Sequence, residues 1–376
     1  MSILIGADIV PTSANIHLFN SGDMEQIVGE KLFSLLKKVD YRIFNLECPI
    51  VDVASPIKKC GSTLKADTKV VNGLASIGVD LLTLANNHIM DHDVAGLMST
   101  IESLKKANIA FLGAGENIFV AEKPFLFEWN GKKIGVYACA EHEFSIADEK
   151  NPGANPFDSL ESFDHVSNLK KKCDYAIVLY HGGKEHYRYP SPMLRKVCKK
   201  FVQKGADLVV CQHSHCIGCY EKYGQGTIVY GQGNFIFNTC NRSIEQTSLL
   251  VELDDNLDIS FVPLVKYDNG VRLAEGRIAE QIISDFNQRS NQIKEDGFIE
   301  REYARFAQDK INVYLLTSSG YGHKYFQRML NKLFGYRLSN FLAKKFYNKK
   351  ELLTIQNCLE CEAHRELWIK GLKDGV

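Results

Sequence analysis

Over its first third the chain alternates short, β-branched apolar runs with helical stretches, and few architectures can follow that pattern. Residues 3–10 read as a strand, 24–39 as a helix, 42–46 as a strand, 68–77 as a helix, 81–85 as a strand and 94–107 as a helix. In the last of these Leu97, Ile101 and Leu104 recur at helical spacing. The alternation predicts parallel strands joined by helical crossovers.

The middle is richer in strands. Residues 124–140 carry Asn130-Gly131 between apolar runs, a strong hairpin signal. Further strands are expected at 175–180, 207–211 and 227–237, and a hairpin over 249–265 that turns near Asp254-Asp255-Asn256. Pro190-Ser191-Pro192 opens a helix that runs to Lys204 and is ended by Gly205. Two mixed sheets flanked by helices accommodate these elements. From about Ala274 the pattern changes to charged amphipathic helices, at 278–293, 300–316, 325–334 and 350–372. A chain of 376 residues also exceeds what one hydrophobic core usually serves. The expected division is a domain over 1–273 and a helical C-terminal cap over 274–376.

Charge and cysteine usage exclude several classes of function. Lys plus Arg and Asp plus Glu are both 45, which gives no long-range field for collecting nucleic acid. The 11 cysteines are odd in number and have no repeated spacing, which suits reduced thiols in a cytosol. The opening MSILIGADIV has no basic flank and runs directly into Asp8, so it reads as a buried strand rather than a signal peptide. No apolar run approaches the roughly 20 residues that span a bilayer. The sequence therefore predicts a soluble, cytoplasmic protein with no integral membrane segment.

Ligand-type residues fall where strands end. Asp8 closes the first strand, Glu47 follows the second, and Asn87 and His88 follow the third. His181 follows 175–180, and His213 and His215 follow 207–211. In α/β sheets the carboxyl ends of strands are where ligands bind. Carboxylate, amide and imidazole together suit Mn, Fe or Zn better than Ca or Mg, which prefer oxygen shells. The His213-Ser214-His215 spacing lets both rings face one site, although two unrelated loop histidines give the same spacing. In Asn87-His88-x-x-Asp91 the carboxylate can hold His88 in one tautomer as a proton donor. Asn87 or Asp91 acting as a helix N-cap explains the same residues.

Taken together, Gly6-Ala7-Asp8, Asn45-Leu46-Glu47-Cys48-Pro49, Ala85-Asn86-Asn87-His88 through Asp91, His181-Gly182-Gly183-Lys184-Glu185, Cys211-Gln212-His213-Ser214-His215 and Gly231-Gln232-Gly233-Asn234-Phe235 resemble the capsule-synthesis CapA family of the calcineurin-like metallophosphoesterase superfamily. The resemblance implies a four-layer αββα sandwich with a two-metal centre. It implies Asp8 and His215 on one metal, Glu47 as the bridge, and Asn87, His181 and His213 on the other, with His88 as proton donor oriented by Asp91. Phosphoesterases of the superfamily have Asp-x-His at the first position, whereas this chain has Asp8-Ile9-Val10, which weakens the first site by one imidazole. The implied function is a metal-dependent hydrolase of a phosphoester, or second an amide, in bacterial capsule or surface-polysaccharide synthesis. The alternative is a non-catalytic assembly protein that retains the fold. The implied substrate is anionic or derived from the polymer.

Substrate contacts are expected from Glu185, Asn234 and His142, and from His364 and Arg365 near the end of the chain. Arg42, Lys58 and Lys65 are further candidates, each with a solvated surface as the plainer reading. Cys216 and Cys219 read as structural, since no second cysteine pair lies at zinc-finger spacing. Cys358, Cys361 and His364 are spaced to share one side of a helix.

Overall fold

The computed structural model describes residues 1–237, 242–318 and 337–374. Along the chain run β1 (Ser2–Val10), α1 (Ile16–Ser21), α2 (Met24–Lys38), β2 (Tyr41–Leu46), α3 (Val71–Ser76), β3 (Leu81–Thr83), α4 (Asp93–Lys106) and β4 (Ala110–Leu112). There follow β5 (Ala114–Gly115), α5 (Ile118–Ala121), β6 (Phe125–Trp129), β7 (Lys132–Ala140), β8 (Gly153–Ala154), α6 (Ser162–Lys170), β9 (Tyr175–His181) and α7 (Pro192–Gln203). The next elements are β10 (Leu208–Gln212), β11 (Tyr220–Tyr223), β12 (Gly226–Val229), β13 (Asn234–Phe237), β14 (Thr247–Asp254), β15 (Ile259–Tyr267), β16 (Gly270–Leu273), α8 (Gly276–Gln292) and α9 (Phe298–Ser318).

One sheet has the order β16-β15-β14-β1-β2-β3-β4, with β13 also paired to β1, and the other has the order β11-β12-β10-β9-β7-β6. β1 through β4 pair in parallel, as do β7, β9, β10 and β12. Because side chains alternate across a strand, each sheet buries two faces. Ile3, Ile5, Ile43 and Leu81 of the first sheet meet Val136, Ile177, Leu179 and Leu208 of the second in a shared inner core. On the outer face of the first sheet Leu4, Phe44 and Leu82 pack with Leu32 and Leu36 of α2 and Leu97 of α4. On the outer face of the second, Val178 and Val209 pack with Leu169 of α6 and Phe201 of α7. The result is the four-layer αββα sandwich, and each fully buried aliphatic side chain contributes about 1.5–3 kcal/mol of transfer free energy.

Local chemistry accounts for the turns. Asn130 (φ 48) and Gly131 (φ 70) have the paired positive φ of a two-residue hairpin between β6 and β7. Ser191 Oγ accepts from Leu194 N at 3.0 Å and Pro192 fills the first turn of α7. Gly29 (φ 74) interrupts the helix expected over 24–39. The single strand expected over 227–237 is two strands in different sheets. Gly231 (φ 128) and Gly233 (φ 78) turn the chain from β12 into β13, and Gln232 Nε2 donates to Ile5 O at 2.8 Å.

By contacts the chain divides into Met1–Ile299 and Glu300–Val376. α8, which begins just beyond residue 273, packs against the first unit's sheets, with Phe286 stacked on Tyr220 and edge-on to Phe261. In the second unit the helix expected over 350–372 is two helices, Lys349–Glu360 and Glu362–Asp374. Cys361 between them is extended (φ −74, ψ 116), so Cys358, Cys361 and His364 do not share one helix. The helix expected over 325–334 lies outside the described residues. Among the described residues no helix is long and apolar enough to cross a membrane.

Candidate metal centre

Parallel pairing brings the carboxyl ends of the central strands to one end of the sandwich. Asp8 is in register with Asn45 of β2 and with Asn234 of β13, at irregularities in β1 that re-aim its side chain. Glu47 lies one residue beyond β2. Asn86, Asn87 and His88 follow β3. In the second sheet Ala140, His181 and Gln212 are aligned at the ends of β7, β9 and β10. His213 (φ 81) and His215 (φ 55) follow at once, both in the left-handed region. That backbone is uncommon outside glycine, and such strain concentrates at functional sites.

Asn45 ties the two sheets together. Its Nδ2 donates to Asp8 Oδ1 at 2.8 Å and lies 3.3 Å from His181 Nδ1. Its Oδ1 accepts from Asn86 Nδ2 at 3.1 Å. His181 Nε2 lies 3.1 Å from Asn87 Oδ1, 3.1 Å from His213 Nδ1 and 3.2 Å from Glu47 Oε1. One imidazole nitrogen cannot form three hydrogen bonds, and Glu47 Oε1 lies off the line of one. Ligands held at roughly 2.0–2.1 Å around a shared cation lie about 3 Å from each other, which is the spacing of Asn87 Oδ1, His213 Nδ1 and Glu47 Oε1 from His181 Nε2. A second group adjoins the first. His215 Nδ1 is 2.8 Å from Asn234 Oδ1 and 3.7 Å from Asp8 Oδ2. Glu47, His213 and His215 offer ligand atoms within 4.8 Å of one another.

Buried charge here is poorly compensated by protein alone. Asp8 Oδ2 and both carboxylate oxygens of Glu47 are buried without a hydrogen-bond partner. Burial, and then the neighbouring charge of Glu47, pushes the Asp8 carboxyl up to about 6. Burial also acts to raise Glu47, but His215 and His181 outweigh it and bring Glu47 down to about 2. Burial, and then His181, drives His213 well below the usual imidazole value, which keeps it a neutral ligand. For His215 burial is overcome by Glu47 and Asp8, and its value rises. Unpaired carboxylate oxygens beside imidazole nitrogens form a donor set that a divalent cation completes, so these residues fit a metal centre.

His88 Nδ1 is 2.6 Å from Asp91 Oδ2. Asp91 is fully buried and also takes Leu64 N at 2.6 Å and Lys59 Nζ at 2.5 Å. Lys59 is itself only 3% exposed and reaches Asn87 O at 3.3 Å. α4 begins at Asp93 without a side-chain cap, so neither Asn87 nor Asp91 serves as its N-cap.

The structure brings Asp8, Glu47, Asn87, His181, His213, His215, His88 and Asp91 to this end of the sandwich, with Asn234 beside His215. Glu185 is half exposed, 3.7 Å from His186 Nε2. His142 is exposed and bonded to Phe157 O at 3.0 Å, while its neighbour Glu143 takes Asn87 Nδ2 at 3.1 Å. His364 and Arg365 lie on the Glu362–Asp374 helix of the second unit. Arg42 is paired with Asp80 at 2.8 Å, Lys65 is 3.5 Å from Asp67, and Lys58 is exposed. Cys216 and Cys219 are buried. Lys59 and Asn45 escaped sequence reasoning. The only sequence cue for Asn45 is its place two residues before Glu47.

The family model described as "Bacterial capsule synthesis protein PGA_cap" matches residues 2–239. The chain is 29% identical over 284 residues to "Capsule biosynthesis protein CapA" of Bacillus anthracis, covering 70% of this chain and 69% of that protein. It is 27% identical over 223 residues to "PGA biosynthesis protein CapA" of Bacillus subtilis (strain 168), covering 57% of this chain and 58% of that one. Among solved structures, a novel phosphatase from Mycoplasma pneumoniae is 15% identical with a TM-score of 0.44, covering 71% of this chain and 94% of that one.

Proposed function

The chain belongs to the bacterial capsule synthesis protein PGA_cap family, and on that footing we propose that it is a divalent-metal-dependent hydrolase serving surface-polymer synthesis. The substrate is an anionic or polymer-derived phosphoester, with an amide as second choice, and the working compartment is the cytoplasm. The chemistry resides in residues 1–273. Asn87, His181 and His213 would hold one of two ions and Asp8 and His215 the other, with Glu47 available to both. The ions are Mn, Fe or Zn, as the mixed oxygen and nitrogen donors favour. Bound divalent ions supply Lewis acidity toward a phosphoryl or carbonyl oxygen.

The chain's own groups do the rest. Asp91 fixes the His88 ring through Nδ1, which leaves Nε2 to carry a proton to the leaving group. Lys59 pairs with Asp91 and so supplies the buried carboxylate beside that ring with an opposite charge. Glu185 and Asn234 lie on the His215 side of the centre and are substrate contacts in this reading, with His142 as a further one.

The observation that carries the proposal is the convergence of Asn87, Glu47 and His213 on His181 Nε2 at 3.1–3.2 Å, with the Glu47 oxygens unpartnered. Elemental analysis, with hydrolysis of p-nitrophenyl phosphate and its bis ester, tests it. Two ions per chain and activity lost in His213→Ala are expected. Full activity after chelation would sink the reading. One observation favours a non-catalytic assembly protein instead: the position two beyond Asp8 is Val10, 2% exposed and part of the helix-side core, so it supplies no imidazole. Wild-type complementation of a polymer-deficient strain by His88→Ala would decide for that role.

A further inference from the structure

We propose that the second unit carries a docking surface for an anionic lipid bilayer, formed by the stretch from Arg337 to Leu353. Basic and acidic residues balance at 45 each over the chain, yet no acidic residue stands between Asp309 and Glu351. From Arg337 to Lys350 there are five basic residues: Arg337, Lys344, Lys345, Lys349 and Lys350. The stretch is helical over Arg337–Phe346 and again from Lys349, with Lys345, Lys349 and Lys350 exposed. Interleaved with them are large apolar side chains open to water: Phe341 is 63% exposed, Leu353 57% and Leu352 39%.

Charge and exposed apolar area together select the partner. Lysines flanking aromatic and aliphatic side chains are the makeup of helices that lie in the headgroup layer, with the apolar groups at the acyl boundary. Each Lys or Arg near an anionic surface multiplies affinity about fivefold. Nucleic-acid phosphates would satisfy the lysines but offer nothing to Phe341, Leu352 and Leu353. The helices are too short and polar to cross a bilayer, so this surface lies on one. The proposal is independent of the hydrolase reading, since it involves none of its residues.

The test is co-sedimentation of the full chain with phosphatidylcholine vesicles, with or without phosphatidylglycerol. Binding is expected only with phosphatidylglycerol, weakening as salt rises. Replacing Lys344, Lys345, Lys349 and Lys350 by Gln should weaken it about six hundredfold. Phe341→Ser with Leu353→Ser, which keeps every charge, should weaken it about tenfold at unchanged helix content by circular dichroism. Equal binding to both vesicles, or binding indifferent to the lysine changes, overturns the proposal. So does tighter capture by duplex DNA than by anionic vesicles at the same ionic strength. A dimer that the serine changes convert to monomer, with vesicle binding intact, would give this face to a second copy and overturn it too.

Discussion

The two sheets bring different chemistry to their shared end. The β1–β3 side supplies oxygen atoms, from Asp8, Glu47 and Asn87, and the β9–β10 side supplies imidazoles, from His181, His213 and His215. Asn45 spans the seam, touching Asp8 on one side and His181 on the other. The oxygen side holds the strain of buried charge, whereas the imidazole side holds strain in its backbone at His213 and His215. The candidate donors come from both halves, so the packing of the two sheets sets their mutual geometry.

The sharpest way to break this pairing is to remove one donor from each side. Glu47→Gln and His213→Ala should each lower metal affinity at least about a hundredfold, measured by metal titration against a competing chelator. If His213→Ala kept wild-type affinity, the imidazole side would be dispensable. Next in size, Lys59→Met strands the buried Asp91 carboxylate and should cost about 3 kcal/mol in urea unfolding, with metal content unchanged. A variant as stable as wild type would mean that Asp91 is held by Leu64 N and His88 alone.

A pH series on chelated protein sharpens the oxygen side. Asp8 is raised to about 6 in the fold, so on going up in pH the unfolded chain ionises first, near its usual value, and stability falls until the folded group also ionises. Asp8→Asn should therefore match wild type below about pH 4 and be more stable by about 2–3 kcal/mol above pH 6, read from urea midpoints. A constant difference across that range would contradict the buried-carboxylate account. The smallest effect is expected for His142→Ala: within about 0.5 kcal/mol and no change in metal content, because the ring is exposed and bonded to a loop carbonyl.

Residues whose roles follow from strand ends were readable because the signal is local. Asp8, Glu47, His181 and His213 each directly end or follow an apolar run. Lys59 was not readable. It lies in an exposed, apparently unpatterned loop, and its burial depends on Asp91, 32 residues away. Likewise, an apolar run over 227–237 looks continuous in one dimension, while Gly231 and Gly233 send its halves into separate sheets. Nor does anything in Glu141-His142-Glu143 tell which side chain turns inward after a strand: Glu143 takes Asn87 Nδ2 and His142 stays exposed.

The position of β1 also bears on how the protein is made. It precedes its neighbours in the chain, yet it is flanked by β2, β13 and β14, and the last of these ends at Asp254. A ribosome that has released Asp8, Glu47 and Asn87 has produced half of the candidate donor set beside an unpaired strand edge, more than 90 residues before His181. Until β14 emerges that edge is open to wrong pairing, so the nascent chain needs shielding, and the candidate donor set is not complete until His215 has been made.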